Sequence, residues 1–126
     1  MACLIFLACG RTATQSGGTF QLTKVLMGAT TIPAQGAKPI EDSVIVIRGH
    51  TIQAVGARKD VSMPQSADRT DLAGRWVVPL EGSRIAVNEM ANLMVLERAP
   101  NGIKPESPAD VGARIVNGDW EQPARR

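Results

Sequence analysis

No part of this chain sustains the apolar period of 3.6 residues that an amphipathic helix needs. From Phe20 onward, short apolar or alternating runs are broken by glycine, proline and aspartate, and that punctuation predicts an all-β domain. The clearest hairpin is "SVIVIRGHTIQAVG". Val44 to Ile47 is a β-branched run, Thr51 to Val55 returns, and Gly49 supplies the positive φ that the turn Arg48-Gly49-His50-Thr51 requires. A second hairpin is predicted in "RIVNGDWE", where Asn117-Gly118 is the strongest short turn signal. "RTDLAGRWVVP" offers a strand pair around Ala73-Gly74, and "ANLMVLE" a further buried strand. "FQLTKVLMGATTI" alternates through Phe20 and Leu22, with Val25 and Met27 following a shift near Lys24. "PNGIKPESPAD" is a proline-rich loop, and Glu81 to Val87 has the pattern of another outgoing strand. The expected core is Val44, Val46, Ile52, Val55, Leu72, Val77, Leu93, Val95, Ile115 and Trp120.

At 126 residues the chain can bury a core without disulfides or metals as staples. A hydrophobic content of 44% with 21% charged residues excludes wholesale disorder. A net charge of only +2 with 3% aromatics supplies neither a phosphate-binding stripe nor base-stacking platforms, so nucleic-acid binding is not expected. The domain is expected over 20–122, preceded by an apolar and then polar stretch at 1–19 and followed by a tail at 123–126 that ends in Arg125-Arg126.

The N-terminal "ACLIFLACG" is too short to span a bilayer, which takes about twenty apolar residues. It is similar to the end of a secretory signal without its basic n-region, and Phe6-Leu7-Ala8-Cys9-Gly10 is an imperfect match to a bacterial lipobox, with small Ala8 before Cys9. On that reading Cys9 is lipidated and tethers the domain to a membrane, and the compartment is the bacterial envelope. The alternatives are a start codon placed inside a longer signal and an apolar N-terminus packed on the fold, and without export the chain is cytoplasmic.

Chemistry-bearing residues are sparse. His50 is the only histidine and sits at a hairpin tip, where a solvated ring is the ordinary case. Cys3 and Cys9 lack zinc-site spacing, and a catalytic zinc site or a nucleophile–base pair is poorly served by one histidine. Glu41 and Asp42 are adjacent, so in an extended chain their carboxylates point apart rather than converge. Ser83 follows a glycine but lacks the flanks of a nucleophile elbow. Trp76 and Trp120 fit packing better than ligand stacking. These residues give no catalytic group, no metal ligand and no cofactor.

Taken in order, the segments resemble the amidohydrolase (metal-dependent hydrolase) superfamily, in its imidazolonepropionase- and prolidase-like members. The carriers are "LTKVLMGATTIPAQGAKPIEDSVIVIRGHTIQAVGARKDV", then "RTDLAGRWVVP" against Asp-Leu-x-Gly-x-x-Val-x-Pro-Gly. They continue with "GSRIAVNEMANLMVLERAP" against Gly-Ser-Ile-x-x-Gly-x-x-Ala-Asp-Leu-Val-Val-Leu, and "ARIVNGDW" against Val-x-x-Asn-Gly-x-x-Val. The resemblance runs from Leu22 to Trp120. It implies a small composite β-sandwich made from both chain ends. In the family a (β/α)8 barrel of roughly 250 residues begins directly after the proline and carries the metal ligands, the bridging lysine and the catalytic aspartate. Here Leu80-Glu81-Gly82 follows Pro79 and the C-terminal piece has already begun. No residue of this chain inherits those roles. Asn88 stands where the family prefers glycine, and Asn92 where it has aspartate; asparagine tolerates left-handed geometry better than most residues.

The resemblance therefore implies an orphan β-sandwich without catalysis, whose barrel-facing side is uncovered. Trp76, Val78 and Leu80, leading into the junction, are the candidates for that face, and an apolar patch of this origin favours a homodimer or another protein partner. Two alternatives stand beside it. One is a hydrolase-related component that requires a barrel from another chain; the other is an envelope lipoprotein with a binding sandwich.

Overall fold

A computed structural model describes residues 22–121, so the expectations placed on Cys9, the apolar N-terminus, Phe20 and the C-terminal tail lie outside the described residues. The chain is all-β. Its strands are β1 (Thr23–Met27), β2 (Thr30–Thr31), β3 (Ser43–Arg48), β4 (Thr51–Ala57), β5 (Asp68–Asp71), β6 (Trp76–Pro79), β7 (Leu93–Leu96), β8 (Val111–Val116) and β9 (Asp119–Trp120), with 3-10 turns at Arg58–Asp60 and Pro108–Asp110. They form a small β-sandwich of two sheets, one ordered β4-β3-β1-β5 and the other β9-β8-β7-β6-β2.

The expected hairpins are present. β3 pairs antiparallel with β4, and Gly49 in their turn has φ 63°. β8 pairs with β9 through Asn117 and Gly118, at φ 54° and 89°, the doubly left-handed turn that follows the strand twist. β3 is one of the two interior strands of its sheet. Ile45 and Ile47 enter the main core, while Val44 and Val46 pack on the opposite face with Val25, Val61 and Met63. A continuous β-branched run suits a strand buried on both sides. The sequence pattern identified Val44 and Val46 as core but did not separate the two faces, and it passed over the larger pair, Ile45 and Ile47.

The expected strand pair around Ala73-Gly74 is corrected. β5 and β6 do follow one another across a tight turn, in which Arg75 N–H donates to Leu72 O at 3.0 Å and Gly74 has φ 84°. They belong to different sheets, however: β5 lies parallel to β1, and β6 lies parallel to β2 and antiparallel to β7. Leu72, buried in the main core between them, is where the chain changes sheet. β5 is an edge strand of sequence DRTD, and the edges of the other sheet are two-residue strands. Charge and shortness both discourage edge-to-edge pairing.

The expected strand over Glu81 to Val87 is also corrected. Leu80 to Ser83 is a turn closed by Ser83 N–H donating to Leu80 O at 2.9 Å, with Gly82 at φ 84°. The chain then crosses the end of the sandwich as an irregular segment. Ile85 is buried in the main core, and Ile85 N–H donates to Pro33 O at 2.9 Å. A backbone bonded to a loop in this way has no neighbouring strand to ladder with, so apolar Ile85 serves as a plug rather than as a strand residue.

Two buried hydroxyls sit beside the core. Ser43 Oγ donates its one hydrogen to Ala29 O at 2.6 Å, so the 2.6 Å bond between Thr31 Oγ1 and Ser43 Oγ must be donated by the threonine. The pair joins β2 of one sheet to β3 of the other with its hydrogens used, which makes it structural.

Candidate functional site

Two places bring chemistry-bearing or uncovered residues together. The first is the end of the sandwich where the two hairpin tips meet. His50 Nδ1 lies 2.6 Å from Asn117 O, and His50 O accepts from Ala91 N–H at 2.8 Å. Gly118 N–H donates to Ala91 O at 3.0 Å, and Asn117 N–H to Asn92 Oδ1 at 2.7 Å. The short approach of Nδ1 to a carbonyl requires the ring proton on that nitrogen. His50 is exposed, as expected, but it is tied rather than free. Asn92 needs only an oxygen that accepts, so the amide does here what a carboxylate would do. Asn88 takes φ 73°, in keeping with its tolerance of left-handed geometry, and its N–H donates to Ile52 O at 2.8 Å. An open cleft of about 330 Å³, lined by Arg48, His50, Gln53 and Asn88 among others, lies on this side. Lys24 approaches the same end from β1, with Nζ 3.7 Å from Asp119 Oδ1.

The second place is the outer face of the five-stranded sheet beside the junction. Val77 faces the main core, so strand alternation turns Trp76 and Val78 to the other side. Val78 is wholly buried, which corrects its place among the uncovered residues, whereas Trp76 and Leu80 are half-buried. Val78 lies opposite Met94 in the β6–β7 pairing, and the segment between β7 and β8 comes up to Met94. Its Ile103, Pro105 and Pro108, with Met94 and Pro79 of the sheet, line a groove of about 390 Å³. Glu81 and Lys104 stand at its margin as the charged members of the lining. The sequence reading missed this wall, although an isoleucine between prolines in a polar loop was the available signal.

The extended backbone expected at Glu41 and Asp42 is corrected: the pair lies in a turn, with Asp42 at φ 47°. Glu41 and Asp42 are both exposed, and Asp42 takes a two-pronged bond from Arg58, Nη2 to Oδ1 at 2.9 Å and Nε to Oδ2 at 3.2 Å. Those hydrogen bonds hold the Asp42 carboxyl below its ordinary range and raise the Arg58 guanidinium. Ser83 closes the junction turn and has no base beside it among the described hydrogen bonds. Among the described residues there is no group of three or more His, Cys, Asp or Glu side chains placed to hold a metal ion, and no helix is long and apolar enough to cross a membrane.

No protein-family model matches the chain, and no curated protein matches it. Among solved structures, part of the chain is similar to molinate hydrolase, at 24% identity and a TM-score of 0.42, covering 48% of this chain and 13% of that one. Part is similar to a Bifidobacterium longum protein assigned as a prolidase, at 22% identity and a TM-score of 0.42, covering 46% of this chain and 15% of the other. A third likeness, to an uncharacterised protein, has 30% identity, a TM-score of 0.39, and coverage of 45% and 14%. The chain thus spans between 13% and 15% of the length of the solved proteins it partly matches.

Proposed function

We propose that this chain is a non-catalytic β-sandwich module, related to the composite domain of amidohydrolases, that works by associating with a second copy of itself through the junction face. The observation that supports the reading is the apolar groove at Pro79, Met94, Ile103, Pro105 and Pro108, with the half-buried Leu80 next to Pro79 in the chain. Half-exposed apolar side chains around a concavity gain by excluding water from a matching surface. Glu81 and Lys104, of opposite charge at the groove margin, suit a two-fold contact in which each meets the other's counterpart. The non-catalytic part of the reading is supported by a histidine held at Nδ1, an aspartate paired with Arg58 and a serine in a turn.

Light scattering of the purified chain over a concentration series is the test. A dimer that dissociates on dilution, and that Met94→Glu converts to monomer while leaving the circular dichroism spectrum intact, is the expected result. A monomer at every concentration would defeat the association reading. Metal-stimulated amide hydrolysis by the pure chain would defeat the non-catalytic one.

A further inference from the structure

The sequence contains two Asn-Gly dipeptides, and the fold treats them in opposite ways. At Asn101-Gly102 the chain makes a tight turn in which Asn101 N–H donates to Lys104 O at 2.7 Å and Lys104 N–H to Asn101 O at 3.1 Å. Gly102 occupies the tip at φ 67°, both residues are exposed, and Gly102 N–H has no hydrogen-bond acceptor among the described residues. A Cβ at Gly102 would first meet the flexible side-chain amide of Gln35. At Asn117-Gly118 the glycine is buried, its N–H is bonded to Ala91 O at 3.0 Å, and the backbone of Gly49 and His50 fills the place a Cβ would take.

We infer that Asn101 is a site of spontaneous deamidation left open by the fold, and that the same fold closes Asn117 to this chemistry. The Gly102 backbone nitrogen gives up its proton to solvent base and attacks Cγ of Asn101. A C–N bond forms, the Cγ–Nδ2 bond breaks as solvent returns a proton to the departing nitrogen, ammonia leaves, and a five-membered succinimide remains. Water then opens the ring to aspartate or, by the other carbonyl, isoaspartate. Attack requires a nitrogen free of other bonds and a backbone free to rotate, and a following glycine puts no Cβ in the way. Gly102, exposed and with no acceptor on its N–H, meets the first condition; Gly118, buried and bonded to Ala91 O, meets neither. The product places a new carboxylate on the loop that carries Lys104, at the wall of the groove. The inference stands on the turn geometry and does not depend on self-association.

The test is peptide mapping by mass spectrometry after incubating the folded full chain at mildly alkaline pH, with a parallel sample in concentrated urea. In the folded chain, conversion at Asn101 is expected to run at least about tenfold faster than at Asn117, equivalent to about 1.4 kcal/mol of barrier. In urea the two rates converge. Equal rates in the folded chain, or a faster Asn117, would overturn the inference. So would a ratio that persists unchanged in urea, because sequence rather than fold would then set the rates.

Discussion

Gly118 is where the two hairpin tips touch, and Gly118→Ala measures what that contact is worth. A Cβ at this position would meet Gly49 O, well inside contact distance, with His50 Cα at 2.7 Å and Gly49 C at 3.0 Å. All are backbone atoms, so no side-chain rotation relieves the clash. Gly118 also has φ 89°, where an L side chain costs about 1–2 kcal/mol. Relief means moving one tip away from the other, and the bonds at risk are His50 Nδ1 to Asn117 O, Ala91 N–H to His50 O, and Gly118 N–H to Ala91 O. Losing one or two of them adds about 1 kcal/mol each, for a total of roughly 2–4 kcal/mol when added to the strain. Gly74 is the control. It has φ 84°, but a Cβ there meets nothing within 4 Å, so Gly74→Ala carries the strain alone. Urea denaturation of both variants, followed by circular dichroism, gives the two costs. The expected difference is about 1–2 kcal/mol in favour of Gly74→Ala. Equal destabilisation would show that the tips yield without loss, and that the hydrogen bonds between them do not hold the sandwich end closed.

Ile45→Ala removes a fully buried side chain from the main core and should cost about 2–5 kcal/mol in the same assay, whereas Val87→Ala, exposed to 51%, should stay within about 0.5 kcal/mol; similar costs would mean that the core is wrongly placed. The Asp42–Arg58 pair predicts a pH effect. Because the Asp42 pKa is lowered in the folded chain, its stabilisation is present above the ordinary carboxylate range and is lost as pH falls through the folded value. The stability gap between the native chain and Asp42→Asn should therefore be open at neutral pH, close on acidification and narrow in high salt; a gap that widens toward acid would refute the pairing.

Local chemistry made part of this fold legible. Gly49, Gly74 and Asn117-Gly118 announce their turns because few residues accept a positive φ, and each of these turns is found where its dipeptide stands. What the turns connect was not legible. Ala73-Gly74 is equally good chemistry for a hairpin and for a change of sheet, and the choice is made by Leu72 entering the core between the sheets. Glu81 to Val87 has strand-like composition, but strands are defined by neighbours, and this segment bonds to a loop at Pro33. The site followed the same rule. Trp76 and Val78 lie on the sheet face that alternation predicts, yet the groove at Pro79 and Met94 takes its other wall from Ile103, Pro105 and Pro108, distant in sequence and without a periodic signature.

The way the two halves of the chain join bears on how such a domain accommodates an insertion. The four-stranded sheet is complete within Thr23 to Asp71, but the five-stranded sheet needs β2 and β6 from before the junction and β7, β8 and β9 from after it. Its seam is the antiparallel pairing of β6 with β7, from Trp76 opposite Leu96 to Pro79 opposite Leu93. The connection that crosses the sandwich end is not slack, because Ile85 and Ala91 belong to the main core and Asn88 is bonded to Ile52. Only Glu81 and Gly82 are exposed within the turn that begins it, and the space around Gly82 is open. A chain that left and returned at this turn would disturb neither the seam nor the plug. The turn follows directly on Pro79, the last residue of β6. A sandwich whose core residues all lie outside that turn can therefore close with or without a domain inserted there.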